Sequence, residues 1–289
     1  MIVVLSGATG SGKSALAVRL AKEINGEIIN ADAFQVYREI EIATAAPTME
    51  EKSEVPHHLF AFLSPNEEMN VALYQELARK KIEEILQRGH TPIFVGGSGL
   101  YIRSALYDYS FSVDTSSIDL SKEEKMSDEA LHSLLASLDP DEAKKIHPNN
   151  RRRVMRDIAI CYALGRSKTS FLAEQNHEPI YPTKFFILKK DRQSLYASLD
   201  KRVDKMFENG LEKEVELAVN KYGKEAPAFK AIGVKEFFPY FEHQATLEET
   251  KDLIKLNTRH YVKRQDTFFL HQFPSIYVSS LEETMNRLS

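Results

Sequence analysis

The chain has 289 residues, 43% hydrophobic and 28% charged, a usage that excludes disordered and fibrous classes and allows one large core or two smaller ones. A formal net charge of −4 excludes a protein that is basic throughout, though not one with a local basic face for nucleic acid. One cysteine, Cys161, excludes an internal disulfide and a cysteine-based zinc cluster, and its expected role is a packed apolar side chain.

The apolar start, MIVVL, stops at Ser6 and Gly7 with no basic residues before it, so it is expected to be a strand and not a signal peptide. No apolar run approaches the roughly 18 residues of a membrane-spanning helix, and the expected compartment is the cytoplasm. Gly-rich GATGSGKS follows, then a helix carrying Leu16, Leu20 and Ile24 and ended by Asn25 and Gly26. EIINAD is a second strand, closing on Asp32. From Val71 to Arg88 the spacing predicts a helix with Leu73, Leu77, Ile82, Ile85 and Leu86 on its apolar face and Gly89 as its stop. IFVGG, ending at Gly97, is a third strand, and the alternation of strand and helix implies a parallel sheet.

Beyond Tyr107 the texture changes. Residues 111–150 are polar and acid-rich, with helical patches at DEALHSLLASL and DPDEA and no strand pattern. A helix from Arg152 to Leu164 follows. KFFIL at 184–188 returns to a strand, followed by helices expected at 193–221 and 246–265. The pattern gives an α/β core of residues 1–110 and 183–289 interrupted by a helical insertion domain, 111–182.

Gly7 to Ser14 match G-x-x-x-x-G-K-[ST] in full, after a strand and before a helix, which is the context of a phosphate-binding loop. The backbone of Gly7, Ala8, Thr9, Gly10, Ser11 and Gly12 can converge on phosphate oxygens, Lys13 supplies a point charge, and Ser14 offers a hydroxyl to Mg²⁺. The motif does not say which polyphosphate is held. P-loop ATPases hold Mg²⁺ with an acid at the end of another strand, and IFVGG ends without one. Asp32 is the strand-end carboxylate, as a metal ligand or a general base, and it stands close to Gln35, Tyr37 and Arg38.

These segments, with NADAFQVYR (30–38), PHHL (56–59), VGGSGLYIR (95–103), HPNNRRRVMR (147–156), RVDKMFENGLEKEV (202–215), AIGVKEF (231–237) and IKLNTRHYVKRQ (254–265), resemble the tRNA dimethylallyltransferases, also called tRNA isopentenyltransferases, in order and over nearly the whole chain. The resemblance implies a P-loop NTPase-like parallel sheet covered by helices. It also implies transfer of the dimethylallyl group of dimethylallyl diphosphate to N6 of the adenosine at position 37, next to the anticodon of tRNA. By the same match the loop binds diphosphate, with Thr9 and Lys13 assisting its departure and Mg²⁺ on Ser14, and Asp32 is the base. The expected tRNA contacts are Asp32, Ala33, Phe34, Gln35, Ser98, Arg152, Arg153, Arg156, Arg259 and Arg264. The implied partners are dimethylallyl diphosphate and the tRNA anticodon stem-loop, with the enzyme acting as a monomer and away from membranes.

The chain departs from the family pattern in places. Ala33 replaces a usual Ser, Ala43 and Ala46 stand where Gly and Lys are usual, Ser98 stands for Thr, and Arg152 for Gln. A helix bearing Asp and Arg, usual after the GGSGLY segment, is not recognisable around 112–125. Two basic runs offset the acidic total. Arg151, Arg152, Arg153 and Arg156 share a helix whose other face carries Val154, Ile158 and Tyr162, and Lys251, Lys255, Arg259 and Lys263 form a stripe at four-residue spacing. His57 and His58 are expected to be structural or substrate-lining rather than metal-binding, and Phe237, Phe238, Tyr240 and Phe241 to be packing. The alternatives are prenylation of free AMP, ADP or ATP, and a P-loop small-molecule kinase or nucleotide-binding regulator.

Overall fold

The computed structural model describes every residue except 110–112, 176–177, 274 and 289, and no side chain at 266 or 270–272. Contacts divide the chain into two compact units, residues 1–106 with 181–289, and residues 107–180. The sequence-based boundary between 110 and 111 falls outside the described residues, as does the start of the 112–125 segment.

The larger unit is built on one sheet of six strands: β1 (Ile2–Gly7), β2 (Gly26–Asn30), β3 (His57–His58), β4 (Thr91–Gly96), β5 (Thr183–Leu188) and β6 (Ser275–Val278). They pair in the order β3-β2-β4-β1-β5-β6, and every pairing is parallel. β1 lies between β4 and β5 and is buried along its whole length, which is why its sequence is a continuous apolar run instead of an alternating one. Because all strands run the same way, the loops that follow β1, β2 and β4 leave the sheet at one edge, where α/β folds hold their ligands.

Helix α1 (Lys13–Glu23) buries Leu16, Ala17 and Leu20 and stops two residues before Asn25, which takes a left-handed conformation at φ +51°. Gly26 belongs to β2 rather than to the helix end. Helix α2 (Val71–Gln87) starts where the Asn70 side chain accepts from Leu73 N–H, and Gly89 beyond it has φ +75°. Its buried line is Tyr74, Ala78, Ile82 and Ile85, whereas Leu86 is exposed. The helix therefore faces the core about one position away from the leucine-based expectation. Helix α3 (Gly99–Leu106) follows β4 and ends the first segment of this unit.

In the smaller unit, α4 (Asp128–Leu138) and α5 (Arg151–Leu164) enclose Leu131, Leu135, Ala143, Ile146, Val154 and Ile158. Its described residues form no strand, as the sequence indicates, and Tyr107 and Pro179 form an isolated bridge. Tyr162 is not on the buried face of α5. It is exposed, and its hydroxyl donates to Glu123. Cys161 is buried, and burial pushes its thiol up.

The return to the larger unit departs from the sequence expectation at three points. The helix expected over 193–221 is two helices, α6 (Arg192–Glu208) and α7 (Leu211–Tyr222), broken at Gly210 with φ +92°. A glycine adopts that conformation without the Cβ clash that another residue would meet. Helix α8 (Leu247–Gln272) runs past the expected end, and α9 (Leu281–Leu288) follows β6. A core of Val36, Ile40, Val203, Leu211, Phe229, Val234, Phe237 and Ile254 joins the β2 side of the unit to α6, α7 and α8, with Phe238, Tyr240 and Phe241 half-buried against it.

Candidate active site

The loop after β1 is held open. Ser11 N–H donates to Ala8 O at 3.1 Å, and Gly12 caps α1 with φ +95° and nothing within 4 Å of where a Cβ would stand. Ser11 Oγ is buried with no hydrogen-bond partner among the described residues. Lys13 Nζ lies 3.5 Å from Ala8 O and makes no ion pair among the described residues. Burial and the nearby Arg202 guanidinium pull its ammonium down to about 8, against an opposing pull from Asp32. Thr9 is fastened from the far end of the chain. Gln265 Oε1 accepts from Thr9 N–H at 3.0 Å and from Thr9 Oγ1 at 3.2 Å, while Gln265 Nε2 donates to Gly97 O at 3.2 Å. Any Cβ at Gly97 would stand 1.8 Å from Gln265 Nε2, so glycine is needed there for this approach.

Asp32 lies two residues past β2. Its Oδ1 accepts from Phe34 N–H at 3.0 Å, an Asx turn, and its Oδ2 has no hydrogen-bond partner among the described residues. Two cavities meet at this point. One, of about 590 Å³, is lined by Thr9, Gly10, Gly12, Lys13 and Ser14 of the phosphate loop with Asp32, Gln35, Gly96, Arg202 and Lys205. The other, of about 200 Å³, has the apolar walls Phe34, Val203, Met206, Ile232 and Ile254 with Tyr261, Lys230, Lys235 and Arg264. Thr9, Asp32 and Arg202 line both. Burial pulls the Arg202 guanidinium down and Asp32 pushes it back up, and Arg202 has no ion pair among the described residues. The larger cavity is thus lined by three cations, Lys13, Arg202 and Lys205, that make no ion pair among the described residues, a setting suited to a polyanion.

A family model described as IPP transferase matches residues 35–272, and one described as isopentenyl transferase matches residues 1–60. The chain is 42% identical to a tRNA dimethylallyltransferase of Anoxybacillus flavithermus over 98% of its own length and 92% of the relative's. The chain belongs to the tRNA dimethylallyltransferase family. It is 41% identical to the Bacillus subtilis tRNA dimethylallyltransferase over 93% of this chain and 87% of the other. Among solved structures it resembles the Staphylococcus epidermidis tRNA delta(2)-isopentenylpyrophosphate transferase at TM-score 0.73 and 34% identity, covering 99% of this chain and 96% of that one. A eukaryotic dimethylallyltransferase acting on tRNA is similar at TM-score 0.86 and 30% identity, over 99% and 77% of the two chains. The six-stranded parallel sheet is therefore the tRNA dimethylallyltransferase fold.

In this member of the tRNA dimethylallyltransferase family, Thr9, Lys13, Asp32, Phe34, Gln35 and Arg264 reach the paired cavities. Gln35 gives both amide hydrogens to carbonyls, Thr44 O at 3.0 Å and Ala45 O at 2.9 Å, leaving Oε1 as an acceptor. Ala33 is half-buried, and Ser98 N–H donates to Ala31 O at 2.8 Å. Ala43, in place of the usual Gly, packs its Cβ against Gly233, and its N–H donates to Glu214 Oε1 at 2.9 Å. The C-terminal basic stripe is met by acids at three of its four members, whereas Lys263 is exposed with no ion pair among the described residues. Lys251 and Lys255 reach Asp204 at 3.0 and 2.8 Å, and Arg259 is paired with Asp200, so two acids of α6 offset part of the charge on that face of α8.

On α5, which belongs to the smaller unit, the arginines divide. Arg151 donates to Asp128 and Arg153 to Glu142, whereas Arg152 and Arg156 are exposed with no ion pair among the described residues. His57 bonds to Val55 O and also lines the larger cavity, whereas His58 bonds to Glu27, in keeping with the substrate-lining and structural roles expected of the pair. Arg202, Tyr261 and Gln265 lie within the segments RVDKMFENGLEKEV and IKLNTRHYVKRQ, where nothing in the sequence sets them apart from their neighbours. The signal for Arg202 and Gln265 was only their place in those motifs, since helical periodicity does not tell a cavity-facing polar residue from a solvated one.

Proposed function

We infer that the chain transfers the dimethylallyl group of dimethylallyl diphosphate to N6 of the adenosine at position 37 of tRNA, and that it does so as a cytoplasmic monomer with every reacting group on one chain. The observation that carries this reading is the position of Asp32 and Arg202 on the shared wall of a phosphate-loop cavity and an apolar one.

The diphosphate occupies the cavity of the loop, where backbone N–H groups, Lys13 and Arg202 oppose its charge. Both donors of Thr9 are engaged by Gln265, so Thr9 acts there first by fixing the loop. Mg²⁺ bound with the diphosphate would neutralise the leaving group. Ser14 Oγ is exposed at the start of α1 and is a hard oxygen donor, and phosphate oxygens and water would complete the shell. No group of three or more His, Cys, Asp or Glu that could hold a metal ion occurs among the described residues.

An exocyclic aromatic amine is a weak nucleophile, so attack needs a base within reach. The N6–C1 bond forms as the C1–O bond breaks, the electron pair leaves on the diphosphate, and the N6 proton passes to Asp32 Oδ2. Gln35, an acceptor only, can take the second N6–H and so favours adenine over a base without an exocyclic amine at that place. The adenosine must leave the anticodon-loop stack to arrive there. No helix among the described residues is long and apolar enough to cross a membrane.

The test is incubation with Mg²⁺, labelled dimethylallyl diphosphate, and either unmodified tRNA or AMP. Label in tRNA alone is the expected result. Label in AMP alone would move the acceptor to free nucleotides, and phosphoryl transfer from ATP with no prenyl transfer would overturn the reading.

A further inference from the structure

Asn30, the last residue of β2, is fully buried and uses its side chain as a clamp. Its Oδ1 accepts from Asp32 N–H at 2.8 Å, while Nδ2 donates to Asp32 O at 3.1 Å and to Leu59 O at 2.9 Å. Its own carbonyl accepts from the buried Tyr74 hydroxyl at 2.6 Å. The bond to Leu59 ties the turn after β2 to a residue just beyond β3 that stands at φ +63°, a conformation that costs a leucine energy and needs outside support. Asp32 Oδ1 is fixed in turn by Phe34 N–H.

We propose that Asn30 is a positioning residue for the prenyl-transfer reaction, holding the Asp32 peptide on both sides so that Oδ2 alone faces the acceptor. Only a carboxamide of this length supplies one acceptor and two donors at a single buried point. An aspartate would have the shape but would set a carboxylate against the carbonyls of Asp32 and Leu59. A serine would reach one partner at most. Asn30 lines neither of the two cavities that meet at Asp32, so it acts through Asp32 and not on the substrates. The proposal rests on Asp32 being the base.

The experiment compares wild type, N30D, D32N and the N30D/D32N double variant of the full chain, with tRNA and dimethylallyl diphosphate as substrates. Misplacing a catalytic group predicts that N30D lowers kcat by roughly 10- to 100-fold and leaves KM for dimethylallyl diphosphate within about twofold. In the D32N background the same change should cost less than about twofold, because both residues act through one group. Y74F, which removes only the hydroxyl bond to Asn30 O, should lower kcat by about threefold with KM unchanged. The proposal is overturned if N30D keeps kcat within twofold of wild type, or if it costs the same factor with and without Asp32, as a general structural defect would. Should N30D not fold, N30S carries the same comparison. A wild-type protein that transfers no dimethylallyl group to tRNA overturns the activity, whereas an active wild type with an unaffected N30D overturns only this assignment.

Discussion

Two carboxylates stand at opposite ends of β2, and their surroundings could hardly differ more. Glu27, near the start of the strand, is buried, and both its oxygens are saturated by Arg88, His58 and His90. Burial alone would push its carboxyl up, but hydrogen bonds from those three side chains more than offset this and hold it at about 2. Asp32, just beyond the strand's far end, has one oxygen anchored by a backbone N–H and the other without a partner among the described residues, in cavities whose charged groups include Lys13 and Arg202. A carboxylate closed by partners holds structure together. One left half-open in a cavity can accept a proton. The same division separates Arg151 and Arg153, each paired with an acid, from Arg152 and Arg156 on the same helix.

The contrast is sharpest in turnover. D32N should cut kcat by about 10²- to 10⁴-fold, the usual worth of a general base, with dimethylallyl diphosphate affinity within a few-fold, read by steady-state kinetics and donor titration. Turnover close to wild type would remove Asp32 from the base role and erase the distinction between the two acids.

Lys13 tests the open end from the alkaline side. Its ammonium, lowered to about 8 in the free protein, loses its proton as pH rises past that value, so KM for dimethylallyl diphosphate should climb above pH 8 by at most about tenfold per unit. K13A should raise KM by about 10- to 100-fold at neutral pH and abolish that climb. An alkaline limb that persists in K13A would assign it to another group.

Glu27 tests the closed end from the acid side, and there the readout is stability. With a folded value near 2 against 4.5 when free, its contribution is fully present above pH 4.5 and is lost as pH falls from there toward 2. E27Q should cost about 3 kcal/mol at neutral pH, the worth of holding the carboxyl at about 2 instead of 4.5, because a buried amide replaces the carboxylate that accepts from Arg88, His58 and His90, and should flatten the pH dependence of the urea midpoint over that acid window. Turnover of the folded protein should be unchanged. A loss of kcat at constant stability would mean that Glu27 is not merely structural.

The smallest effects belong to the arginines of α5. R152A and R156A should each reduce the slope of log affinity for tRNA against log salt by about 0.7 to 0.9, and R153A by less, since Glu142 already neutralises it. Equal slopes for all three would remove the division between paired and unpaired arginines.

Much of this was legible in the chain itself. The run IVVLSG before GATGSGKS specifies a doubly covered strand leading into a phosphate loop, because local pattern and backbone requirements suffice for both. The family segments located Asp32 and Gln35. The helix break at Gly210 was also written locally, in Asn209-Gly210, and an overlong helical pattern concealed it. Formal charge misled more deeply. Of the stripe Lys251, Lys255, Arg259 and Lys263, the first three meet Asp200 and Asp204, acids some 50 residues away in the sequence, and only Lys263 is left exposed without an ion pair among the described residues.

By itself, then, the sequence determined the parallel α/β class, the phosphate loop, the strand-end acid and the family, since each rests on short-range pattern or on motif order. Tertiary structure alone decided which charges are cancelled and which are left to act. Gln265 meets Thr9 across 256 positions, and Arg202 is brought beside Lys13 and Asp32 from another helix. Electrostatic character depends on distance and burial in space, and neither is encoded in any single stretch of chain.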